Sequence, residues 1–223
     1  MLYTYCLLSD AKGNLSLPSG FKGDLRLVED RAIAAVVEPE LPREELEEDD
    51  ETLVQAVIHH DWVICEIFRD HAVLPLRFGT YFPTEADLQT HLATNREKYQ
   101  QTLENLSGKL EVTLKLTPIP FPEQETSAAK GKAYLRAKKQ RYQEQSQYQA
   151  QQKIALEQFE QTINQTYSQW VHGEPKESTE RFYLLLDAAT FSSFSEQIKQ
   201  WENWLQTWTI EVSPPLPPYH FLS

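Results

Sequence analysis

Apolar and polar positions alternate most cleanly at residues 109–116, "KLEVTLKL". Leu110, Val112, Leu114 and Leu116 point one way and charged or polar residues the other, which predicts a strand ended by Pro118 and Pro120. Residues 2–8 predict an opening strand, with Tyr3 and Tyr5 on one face and Leu2, Thr4 and Cys6 on the other. The Gly, Pro, Asn and Asp of 9–24 predict a loop, and the runs 25–30 and 32–39 predict a hairpin ending at Pro39. From Thr52 to Arg69 the period changes. Val54, Ile58, Trp62, Cys65 and Phe68 recur at three or four, the apolar face of an amphipathic helix, widened by Leu53, Val57, Ile64 and Ile67. "VLPLRFGTYF" (73–82) predicts a short strand, with Pro75 at an edge or start and Gly79 at a bend or bulge. Arg77 projects opposite to Leu76 and Phe78, and a carboxylate or helix C-terminal carbonyls hold it. Thr84, with Asp87 three positions on, opens a second helix that runs to about Asn105.

The prolines of 117–124 read as an interdomain hinge. One long helical stretch follows, about 126–172, with sparse apolar positions early and core-like spacing later at Ile154, Leu156, Phe159, Ile163, Tyr167 and Trp170. It predicts a helix that projects at one end and packs at the other. A strand at 181–188, an aromatic-rich helix at 191–208, a strand at 209–213 and the proline-rich close "PPLPPYHFLS" complete the chain. The fold class is α+β in two domains. Residues 1–118 form a ferredoxin-like antiparallel sheet with helices on one face, and 119–223 an α+β domain with the long helix and the tail.

The 223 residues suffice for two real cores. The net charge of −12 disfavours nucleic acid as a partner of the whole chain. Nine acids in 38–51 face Arg43 alone, a net −8 that reads as a solvated loop or helix start. No run reaches the roughly 18 apolar residues of a membrane span, which predicts a soluble cytoplasmic protein. Cys6 and Cys65 read as buried thiols.

The templates for catalysis are missing. GxGxxG, GxxxxGK[ST] and GxSxG do not occur. His59 and His60 are adjacent on a helix and point about 100° apart, too far to share a metal readily. No catalytic, cofactor-binding or metal-ligating residue is assigned. Two binding signals remain. The basic helix 130–153 carries seven cations against Glu144, interleaved with Tyr134, Tyr142 and Tyr148, and supports an alternative reading as an RNA- or protein-binding module. The tail "PPLPPY" reads as a strap across its own domain anchored by Tyr219 and Phe221, or as a polyproline II ligand.

Several motifs together resemble one family. "VLPLRFGTYF" after a helix with "HDWVICEIF", the following "LSGKLEVTLKL", "GKAYLRAKKQ" opening a long helix and a terminal "PPLPPYHF" are similar, in that order, to the gas vesicle protein F/L family (GvpF/GvpL). The resemblance implies a non-enzymatic minor shell component or assembly factor in the prokaryotic cytoplasm. It implies the main gas vesicle shell protein as partner, other gas vesicle proteins besides, and neither nucleic acid nor lipid membrane. The motif residues it singles out are Leu74, Pro75, Arg77, Phe78, Gly79, Thr80, Tyr219 and Phe221. The aromatic helix 191–208 is the expected docking face for apolar shell surface.

Overall fold

The computed structural model describes residues 1–9, 15–46, 49–122 and 131–222. The chain divides into two compact units. One comprises Met1–Glu111, Leu186–Ala189 and Pro215–Ser223, the other Val112–Leu185 and Thr190–Pro214.

The first unit holds β1 (Leu2–Ser9), β2 (Arg26–Asp30), β3 (Ile33–Pro39), a short α1 (Arg43–Leu46), α2 (Asp50–Phe68), β4 (Val73–Pro75), β5 (Tyr81–Phe82) and α3 (Glu85–Leu106). Its sheet runs β2-β3-β1-β4, with β5 also on β1, and these pairings are antiparallel. The α+β class and the antiparallel sheet stand as expected. The placement of helices on one face does not. Ala34 and Val36 pack with Ala56, Val63 and Ile64 of α2, whereas Ile33, Ala35 and Val37 pack with Leu88, Leu92 and Leu103 of α3. Successive residues of a strand point to opposite faces, so α2 and α3 cover opposite faces. That is why β3 is buried from Ile33 to Glu38 without alternation.

The first strand carries a second correction. Its register with β3 slips between Thr4 and Cys6. The extra residue of this β-bulge reverses the alternation, so Cys6 and Leu8 join Tyr3 and Tyr5 in the α2-side core while Leu2 and Leu7 face α3.

Helix starts follow local chemistry. Asp49 caps α2 by accepting from the Thr52 backbone N–H at 2.7 Å. Thr84 and Asp87 form a reciprocal capping box on α3. Arg96 of α3 grips Asp30 of β2 through Nε (2.9 Å) and one terminal nitrogen (2.5 Å), fixing helix to sheet edge.

The second unit contains most of β6 (Lys109–Pro118), then α4 (Lys132–Thr166), β7 (Trp170–His172), β8 (Glu180–Asp187), α5 (Phe191–Trp204) and β9 (Trp208–Val212), with sheet order β7-β8-β6-β9. The long helix ends earlier than expected. Tyr167 is already extended, and Trp170–His172 pair with Phe182–Leu184 as a strand that the helical reading had absorbed. The expected start of that helix, part of the 117–124 hinge, loop residues 10–14 and acids 47 and 48 lie outside the described residues. The core centres on Phe159, whose ring meets Phe182 and Trp201 edge-on at 5.2 Å. Phe194, Ile198 and Trp201 of α5 are buried. The aromatic helix is therefore chiefly core, not the docking face expected of it.

Candidate functional site

The stretch 73–82 is an interrupted edge strand. Val73–Pro75 pair with Cys6–Leu8 and Tyr81–Phe82 with Leu2–Tyr3, so both pieces extend β1 on one side. Between them the chain loops out opposite the bulge. The Leu76 N–H donates to the Tyr5 carbonyl at 3.0 Å, and the Thr4 N–H to the Thr80 carbonyl at 2.9 Å. The turn is closed by the Thr80 N–H and hydroxyl, both donating to the Arg77 carbonyl at 3.2 and 2.6 Å. Gly79 sits at φ 78°, a left-handed conformation costly for any residue with a Cβ.

This turn splits its side chains three ways. Leu76 packs on the α3 side and Phe78 on the α2 side, while Arg77 is exposed. Neither of the expected holders of Arg77, a carboxylate or helix C-terminal carbonyls, bonds it among the described residues, because a tight turn rather than a strand carries it outward. Leu74 and Pro75 are buried. Pro75, Arg77 and Tyr219 line one open cleft of about 440 Å³, together with Lys98 and His220. Phe221, half-buried, is not among the residues lining it.

The tail reaches this region as a strap. Leu216 and Glu111 exchange both backbone hydrogen bonds at 2.9 Å. The His220 N–H and ring Nδ1 meet the Glu111 carboxylate at 2.9 and 2.7 Å, and the Tyr219 hydroxyl donates to Asp61. Burial pushes the Glu111 carboxyl upward, against the His220 contacts that favour its charge. Burial and the neighbouring Asp61 charge likewise push the Cys65 thiol up to about 11, an unreactive value at neutral pH.

A buried polar cluster lies beneath. His60 Nε2 lies 3.0 Å from the Leu76 carbonyl, so it carries the proton and donates, and Nδ1 accepts from the Tyr3 hydroxyl at 2.7 Å. The imidazole stacks on Tyr5, and burial pulls its pKa down. Both nitrogens are thus committed within the core. Among the described residues no group of three His, Cys, Asp or Glu could hold a metal ion.

Glu38 was missed by the sequence reading, which placed it in the solvated acidic run. It is 1% exposed. Its carboxylate accepts from the backbone N–H groups of Phe21 (2.8 Å), Lys22 (2.7 Å) and Gly23 (2.6 Å), and from the Tyr5 hydroxyl (2.5 Å). A Cβ on Gly20 would sit 2.6 Å from that carboxyl, so only glycine fits there. The nest pins the loop against α2, where Phe21 meets the His59 ring at 5.7 Å and the Ser19 carbonyl lies 3.2 Å from His59 Nε2. One signal for it existed: Glu38 ends an apolar strand run and is not part of the loop.

The outward face of α2 is the second omission. The buried row is Ala56, His60, Val63, Ile64 and Ile67. Of the predicted apolar face, Ile64 and Ile67 are buried, but four of its nine residues are exposed: Val54 by 57%, Val57 by 44%, Ile58 by 64% and Trp62 by 40%. These side chains form one apolar strip beside the pinned loop, with acidic residues at the helix start.

Residues 1–223 match the protein-family model described as gas vesicle synthesis protein GvpL/GvpF. The crystal structure of the gas vesicle protein GvpF from Anabaena sp. PCC7120 superposes with a TM-score of 0.75 at 17% identity, covering 100% of this chain and 95% of that one. GvpF from Microcystis aeruginosa gives a TM-score of 0.73 at 14% identity, covering 100% and 98%. At these identities the likeness is one of fold. No curated protein sequence matches the chain.

Proposed function

The chain belongs to the GvpL/GvpF family of gas vesicle synthesis proteins, and from that premise we propose that it is a non-enzymatic assembly factor or minor shell component that binds the main shell protein. Its place is the gas vesicle in the prokaryotic cytoplasm. The single observation that carries the reading is the strip of Val54, Val57, Ile58 and Trp62 on α2. Four large apolar side chains on one helix face, in a chain of net charge −12, suit docking on an apolar partner without self-precipitation. A shell subunit exposes such surface until it polymerises. The motif turn contributes indirectly: the Leu76 carbonyl holds His60, and His60 lies on the buried face of the same helix. Tyr219, bonded to Asp61, holds the strap beside that cleft, and neither it nor Arg77 acts as a catalyst in this reading.

Co-purification of the shell protein with the full chain tests the proposal. Ile58→Asp should abolish capture while leaving the melting temperature nearly unchanged, since that side chain is 64% exposed. Capture undiminished in that variant would sink the assignment of the site.

A further inference from the structure

The first half of α4 stands free of its own unit. From Lys132 to Gln147 every residue is exposed except Arg141, which is half-buried. Packing begins where the Tyr148 hydroxyl and the Gln152 amide donate to the Ile119 carbonyl at 3.0 and 2.8 Å, and it is complete at Phe159 and Ile163. An isolated helix of this length is marginal in water, so an arm projecting roughly 24 Å, at 1.5 Å per residue, needs a partner to be more than a cost.

Its faces are unequal. At 100° per residue, Leu135 and Tyr142 share one face with Lys132, Lys138 and Lys139, while Ala133, Ala137, Gln140 and Glu144 share the opposite one. The side toward its own unit carries Arg141, over the Phe121 ring at 5.9 Å, and Tyr148. Glu144, the arm's one acid, is engaged by Gln140 at 2.9 Å. The lysine-rich face with Leu135 (65% exposed) and Tyr142 (74%) is thus left for something else. That something must be acidic, with apolar ground between its charges.

Such a surface is on the same chain. Glu40, Glu44, Asp49, Asp50 and Glu51 are exposed, and Val54 stands one turn along α2 from Asp50. We propose that the basic arm of one copy docks on the acidic start of α2 of a second copy, a head-to-tail contact between two different surfaces. Because the surfaces differ, each copy keeps one of each free, and association continues into rings or filaments instead of stopping at a dimer. This contact takes up the charged start of α2, about two turns before Ile58 and sharing only Val54 with the apolar strip, and does not depend on shell binding.

Sedimentation of the full chain tests it at low and high salt, about 25 and 500 mM, where the Debye length drops from roughly 20 to 4 Å. The weight-average mass should rise with concentration beyond twice the monomer at low salt and return to the monomer at high salt. Lys132→Glu/Lys138→Glu/Lys139→Glu should stay monomeric, as should Glu44→Lys/Glu51→Lys, each with unchanged melting temperature. Mixing the two variants should restore a complex, because the reversed arm meets the reversed acceptor. A monomer at every concentration at low salt, failure of the mixture to recombine, or a low-salt species that nuclease alone dissolves would each overturn the proposal.

Discussion

Replacing Glu38 with glutamine changes one oxygen for an NH2 group and nothing in volume. In the native site Oε1 accepts from Lys22 and Gly23, and Oε2 from Phe21 and Tyr5. The amide oxygen can keep one of these pairs, and the NH2 then faces the other pair as a donor. Against Lys22 and Gly23 it would oppose two fixed backbone donors. Against Phe21 and Tyr5 it opposes one, because the Tyr5 hydroxyl can turn and accept. The second orientation costs least and leaves the Phe21 N–H with only its longer bond to the Tyr5 hydroxyl at 3.3 Å. Hydrogen bonds to a charged acceptor are worth about 1.5–3 kcal/mol each, so losing one and weakening three places the penalty at about 2–4 kcal/mol. A chain of this size loses about 2–4 °C per kcal/mol, which predicts a fall in melting temperature of roughly 4–16 °C. Glu38→Ala should cost more, since it removes the carboxylate from all four donors. Urea unfolding followed by tyrosine and tryptophan fluorescence measures the cost, and limited proteolysis should show new cleavage at 19–24 before global unfolding. A Glu38→Gln protein within about 0.5 kcal/mol of the parent, with the loop still protected, would refute the carboxylate nest.

Three further expectations follow from the same geometry. Burial depresses the His60 pKa, so below the ordinary value near 6.5 the unfolded chain takes up a proton that the folded chain refuses; stability should fall as pH drops from about 6.5, by at most about 1.4 kcal/mol per pH unit, and His60→Gln should flatten that part of the profile. Thr84→Ala removes the hydroxyl of the α3 capping box and should cost about 1 kcal/mol in denaturant unfolding, largely spared by Thr84→Ser. Tyr219→Phe loses the bond to Asp61 and should raise hydrogen exchange in the terminal strap while the Leu216–Glu111 pairing keeps it attached; a strap that dissociates completely would show that pairing to be insufficient.

Local chemistry was legible in the residues themselves. Thr84 and Asp87 announced α3, and the alternation of 109–116 announced β6, because each signal is settled by neighbours in sequence. Burial was harder to read. The 19-residue α2 has apolar side chains on two sides, and its buried row includes Ala56 and His60, less apolar than the exposed Val54, Ile58 and Trp62. Periodicity therefore chose the strip that faces water. The sandwiching of the sheet was recoverable: "IAAVV" lacks the alternation of a strand with one wet face. The Tyr5 bulge was not, since it depends on what β3 and the motif turn do on either side of β1. At the candidate site the motif turn and the tail stood out as unusual strings, yet Glu38 vanished into the charge of its neighbours. Its partners are three backbone N–H groups some 16 residues away, which no side chain marks, and the hydroxyl of distant Tyr5.

The central claim is that the outward face of α2 binds the shell protein. Burying an Ile58 side chain that is 64% exposed is worth about 1–2 kcal/mol at 25 cal/mol per Å². A direct binding titration of the purified shell subunit on the full chain, comparing the parent with Ile58→Ala at matched stability, should therefore show affinity weakened about 5- to 30-fold. Equal affinity in the two proteins, or no binding by either, would contradict the account.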